Sequence, residues 1–136
     1  MSTEALAPNP LVQSIDERGF VELDHVTPSG IRDEGLICQL ISDRVNGARE
    51  FTVNWGRMLP GQHHVRHHHE EVAEFYVIVA GTPVVHLGTE AIRARPGQAF
   101  YIPPGTTHGI TNDTDEVVDL VAGVNAVGAW DFIADE

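Results

Sequence analysis

The sequence predicts an all-β fold of the jelly-roll kind, and three observations carry that expectation. From Gly35 onward the chain is a series of short apolar runs with two-residue alternation. Gly, Pro and Asn/Asp clusters break those runs at regular spacing, and no apolar stripe of 3.6-residue period is long enough for a substantial helix. Many short strands punctuated in this way point to a β-sandwich or barrel. A chain of 136 residues suits one domain with a real core. The expected organisation is an N-terminal arm or tail over residues 1–20 and a single domain over 21–136.

Residues 1–10 lack periodicity and suit a mobile tail or an arm laid on a partner subunit. Runs 36–42 and 50–59 flank Asn46-Gly47, a pair that tolerates positive φ, so a first hairpin is expected there. Along the second run Phe51, Val53, Trp55, Arg57 and Leu59 share one face, and Thr52, Asn54, Gly56 and Met58 the other. Alternation alone does not say which face is inside. Pro60-Gly61 leads into a histidine-rich stretch, and 73–80 is a dense strand ended by Gly81. Runs 84–87 and 91–94 pair across 88–90, 98–102 runs into Pro103-Pro104-Gly105, and 116–124 is the last strong strand before a looser end.

Composition removes several function classes. The formal charge is −12, and the eight basic residues are scattered arginines, so neither a nucleic acid nor a phosphate backbone is an expected partner. Without lysine there is no side-chain Schiff base and no phosphate-loop lysine. Residues 1–10 have neither a basic nor an apolar signal region, and no run of eighteen apolar residues occurs, so a cytoplasmic protein without membrane insertion is expected. Cys38, the one cysteine, lies in an apolar run and reads as a buried structural thiol.

Residues 61–74 hold five of the eight histidines. On an extended strand His67 and His69 project from one face about 6.6 Å apart, and both can converge on one ion. Glu74 has the wrong parity for a continuous strand and joins them only if the chain reverses, for which Glu70-Glu71 is the natural place. His108, after the Pro-Pro-Gly turn, would supply a fourth ligand. Three neutral imidazoles and one carboxylate leave a six-coordinate ion two open positions, as a catalytic site requires.

These residues resemble the two cupin motifs. Gly61, His67, His69, Glu74 and Gly81 fill G-x5-H-x-H-x4-E-x6-G, and Gly97, Pro103, Gly105, His108 and Asn112 fill G-x5-P-x-G-x2-H-x3-N. The resemblance implies a cupin-type jelly-roll β-barrel holding one divalent transition metal ion (Fe, Mn, Ni, Zn or Co) on His67, His69, Glu74 and His108. It also implies a homodimer, since small cupins commonly pair through a sheet face or a swapped N-terminal strand. The family often has an acidic residue where this chain has Gln98, a departure that reads as structural.

Three further residues are candidates for catalysis. Tyr76 shares parity with Glu74 and would bring its hydroxyl near the metal as donor or proton carrier, or pack at the cavity wall. His63 shares parity with His67 and would look into the barrel mouth or lie at a solvent-facing strand end. Arg57 is either paired with a buried carboxylate or free to clamp an anionic substrate. By opposite parity His64 and His68 are assigned to the surface, and His86 to a structural position. The function implied is a metal-dependent enzyme acting on a small oxygen-chelating molecule, either a dioxygenase or a redox-neutral lyase, isomerase or cyclase. The alternative is a non-catalytic ligand- or metal-binding module.

Overall fold

The computed structural model describes residues 9–135. The expected arm therefore falls in part on residues 1–8, which lie outside the described residues. A one-turn helix α1 (Ile15–Arg18), capped by Ser14, precedes strand β1 (Val21–Glu22). Strand β2 (Leu36–Ile41), helix α2 (Asp43–Asn46) and β3 (Thr52–Met58) follow. Next come β4 (His63–His68), β5 (Glu74–Ala80), β6 (Val84–Leu87) and β7 (Glu90–Arg93), then β8 (Ala99–Ile102), β9 (His108–Thr111), β10 (Val118–Val124) and β11 (Ile133–Ala134).

Two antiparallel sheets form the jelly roll, one in the order β1-β2-β3-β10-β5-β8 and the other β11-β4-β9-β6-β7. Among the described residues they face each other as a sandwich, without hydrogen bonds closing them into a continuous barrel. The strands β2 and β3 pair as expected, but the Asn46-Gly47 pair does not make a two-residue turn. Ser42 accepts from the Val45 N–H at 3.1 Å and starts α2, and Gly47 closes it in the left-handed conformation. Gly81 is required at its turn: φ is +83°, and a Cβ there would sit 2.7 Å from the Val118 side chain.

The register of β3 resolves its two faces. Thr52 and Met58 are buried while Phe51 and Leu59 are exposed, so the Thr52, Asn54, Gly56, Met58 face is inside. Inward positions then grade from polar to apolar along three strands. They run Glu74, Tyr76, Ile78 on β5; His108, Ile110 on β9; and Asn54, Gly56, Met58 on β3, while Ala122, Leu120 and Val118 on β10 are apolar throughout. One end is filled by Met58, Ile78, Val85, Ile110, Val118 and Leu120, all at most 1 % exposed. Each such side chain contributes roughly 1.5–3 kcal/mol by leaving water. The core supports the opposite, polar end.

Candidate metal centre

His67 stands opposite His108 in the β4–β9 register, and Glu74 opens β5 on the facing sheet. Between β4 and β5 the chain crosses from one sheet to the other through Glu70-Glu71, which is how a carboxylate of odd offset comes to face the imidazoles. The Gly105 N–H donates to the His69 carbonyl at 2.6 Å and ties the second motif's turn to the first motif. His67, His69, Glu74 and His108 thereby offer donor atoms all within 4.8 Å of one another, a group that can hold a metal ion.

Hydrogen bonding sets the tautomers. The Nδ1–H groups of His67, His69 and His108 donate to the carbonyls of Val65 (2.7 Å), Asp131 (2.6 Å) and Thr106 (2.9 Å). Each ring therefore turns Nε2 to the cluster, and a neutral ring presents a lone pair there. Glu74 Oε1 is 3.2 Å from His69 Nε2 and 2.8 Å from His108 Nε2. Lone pairs so close to a carboxylate repel unless a cation, a proton or a metal ion, stands between them. The donor set fits a divalent ion.

Electrostatics prepare the ligands differently. Burial pushes His67 down to about 3, so its ring stays neutral in ordinary buffers. Burial acts to lower His69 as well, but its contacts with Glu74 and the Asp131 carbonyl outweigh it and raise the ring above its usual value. Burial acts to raise Glu74, yet the imidazoles of His108 and His69 hold it at about 2.

His67, His69 and Glu74 of this group line a cavity of about 210 Å³, together with Asn54, His64, Tyr76, Asp33, Trp130 and Phe132, while His108 is fully buried outside the lining. Tyr76 lies where parity placed it: its ring centroid is 5.9 Å from that of His108, and burial, Glu74 and Asp33 all push its hydroxyl well above its ordinary value. A larger groove of about 430 Å³ lies on the outer face of the six-stranded sheet, walled chiefly by Phe51, Val53, Phe75 and Tyr101. It holds no acid–base cluster.

Two catalytic candidates sit elsewhere. Arg57 is on the outer face, where Nε and Nη2 donate to Asp119 at 2.7 and 3.0 Å and the guanidinium covers Phe20. It is the carboxylate-paired alternative, outside the cavity. His63 is half exposed and pairs with Glu34 at 2.7 Å. His64 takes the inward position instead, contrary to the parity argument. A bulge between His64 and His67 places His64 opposite Ile110 and His67 opposite His108, so residues three apart share the inner face. Burial lowers His64 from its ordinary value, and its Nε2 is buried without a partner. Gly35 makes room for it, since a Cβ there would stand 3.3 Å from that nitrogen. His68 points away from the cavity and pairs with Asp135 at 2.8 Å. His86 lies opposite Gly109, outside the cavity lining.

Sequence reasoning missed the C-terminal segment. Strand β11 pairs with β4 and lays Phe132 against the His67 ring, with centroids 4.1 Å apart and planes at 16°. Asp131 accepts from the Glu70 and Glu71 N–H groups. The available signal was the aromatic pair Trp130 and Phe132 near the end of the chain.

The Cupin domain model matches residues 54–124, just over half of the chain. An uncharacterized protein of Methanocaldococcus jannaschii is 26% identical over 91 residues, covering 67% of this chain and 73% of that protein. Among solved structures, a sugar phosphate isomerase of Silicibacter pomeroyi is 25% identical with a TM-score of 0.62. That match covers 68% of this chain, which spans only 60% of that protein's length. A predicted oxalate decarboxylase of Thermotoga maritima is 21% identical, with a TM-score of 0.72 over 85% of this chain and 98% of its own. The polyketide cyclase RemF of Streptomyces resistomycificus is also 21% identical, with a TM-score of 0.64 over 75% and 71%. Both motifs fall within the family match, and their His and Glu residues meet in one group; the chain belongs to the cupin family.

Proposed function

We propose that this chain is a metal-dependent enzyme acting on a small organic molecule that chelates the ion through neighbouring oxygens. The observation that carries this reading is the convergence of three Nδ1-anchored imidazoles and Glu74 in one group, of which His67, His69 and Glu74 line a cavity that also holds acid–base groups. A bound divalent ion supplies Lewis acidity toward a keto or enol oxygen, or, if redox-active, a route to dioxygen chemistry. The chain's own residues supply the rest. Tyr76 keeps its proton and donates a hydrogen bond to an oxygen that gains negative charge. His64, held neutral by burial, accepts a proton from a carbon or hydroxyl beside it. Trp130 and Phe132 keep water from that end of the cavity.

Elemental analysis of protein purified without added metal or a tag, followed by oxygen uptake with iron-loaded protein, tests the proposal. Iron with substrate-dependent uptake selects an oxygenase; metal without uptake selects redox-neutral chemistry. Protein that retains no metal and takes up none on titration refutes the reading.

A further inference from the structure

Charge in the cavity sets a condition on what enters it. Its titratable acids are Asp33 and Glu74, and no arginine lines it. Arg32 belongs to an adjoining hollow with Glu22 and Glu34, Arg57 is paired with Asp119, and the chain has no lysine. With neutral imidazoles, a divalent ion and these two carboxylates sum to zero. A phosphate ester or a dicarboxylate would be buried there with no counter-charge, inside a molecule of net charge −12.

The cavity's free polar groups are themselves neutral. The Asn54 side-chain oxygen is buried with no partner, on the inner face of β3. The His64 Nε2 in the same wall is likewise buried without a partner. Buried polar atoms are nearly always paired, so an amide oxygen and a ring nitrogen left open at one cavity are met by something that enters it. The remaining walls include Leu23, Leu36, Ile37 and Leu120, and about 210 Å³ is below the usual size of a drug-sized pocket.

We propose that the cavity selects an uncharged, one-ring molecule with neighbouring oxygens, that the Asn54 amide hydrogen-bonds one of its polar groups, and that phosphorylated and dicarboxylate ligands are rejected. The proposal rests on the metal-dependent reading above. It assigns Asn54 a specificity role and separates this chain from the substrate types named for two of its structural neighbours, a sugar phosphate isomerase and a predicted oxalate decarboxylase.

The test uses the full chain loaded with zinc, with metal content measured before and after titration. Calorimetry compares maltol, a hydroxypyranone that is neutral in solution and releases one proton to the buffer on chelation, with oxalate and glucose 6-phosphate, which both enter as dianions. Maltol is expected to bind at least about tenfold more tightly than either anion, and Asn54→Leu to weaken maltol about tenfold while metal content and oxalate affinity stay unchanged. Equal or tighter binding of either anion by fully loaded wild-type protein overturns the proposal, and that comparison does not depend on how the variant folds. A folded, loaded Asn54→Leu protein with unaltered maltol affinity overturns the role of Asn54. Protein that holds no zinc overturns the metal-dependent reading itself.

Discussion

A proton does something different to His67 and to His69. His67 is neutral down to about 3 and Glu74 ionised down to about 2, so neither yields to mild acid, whereas His69 has its ring raised. In the metal-free fold a protonated His69 is stabilising below its unfolded value of about 6.5, and that contribution is lost as pH rises through the raised value. Metal requires the neutral ring, so the two trends oppose. Chelator-competition titrations should show apparent metal affinity falling as pH drops through the raised value of His69, with a proton displaced from that ring for each ion bound. Affinity unchanged down to about pH 4.5 would rule out His69 as a ligand. His108 is fully buried and reaches Glu74 at 2.8 Å. His108→Ala is expected to bring bound metal well below one ion per chain while leaving the far-ultraviolet circular dichroism intact, and a variant with full metal content would remove His108 from the ligand set.

At the scale of the element, the β4 bulge and the C-terminal segment decide what surrounds the ligands. Motif spacing made His67, His69, Glu74 and His108 legible, because each spacing counts residues along short, well-bounded segments. It did not reveal the bulge: one extra residue in β4 reverses the face of everything before it, turning His63 to Glu34 and His64 inward. Nor did it reveal Asp131, whose carbonyl orients His69 from 62 residues away and whose carboxylate holds the Glu70 and Glu71 N–H groups. Asp131→Ala keeps the carbonyl but removes the carboxylate that fixes the segment carrying it. The expected result is a loss of metal affinity of about tenfold or more, with a smaller change in thermal midpoint, as for other groups that orient ligands. Equilibrium dialysis against a metal buffer would measure it, and wild-type affinity in the variant would show that β11 pairing alone holds the segment.

Across the whole molecule the two ends of the jelly roll divide the work. Apolar inward residues at one end supply the burial that tolerates three imidazoles and a carboxylate crowded at the other. Metal bridging both sheets should then stabilise the fold as a ligand does. Saturation at about a hundred times the dissociation constant contributes roughly 2.7 kcal/mol, a rise in melting temperature of about 10 °C for a domain of this size. Scanning calorimetry with metal and with chelator checks this, and coincident melts would show that the ion does not bridge the sheets.

The all-β jelly roll, the two motifs and the four-residue group were determined by the sequence itself, since two-residue alternation, turn glycines and ligand spacing are local properties of the chain. The inward face of β3, the exchange of His63 for His64, the pairing of Arg57 with Asp119 and the seating of Phe132 on His67 were decided only by the tertiary structure. Each depends on register, a bulge or a contact between distant segments, where a shift of one residue turns a side chain from solvent to cavity.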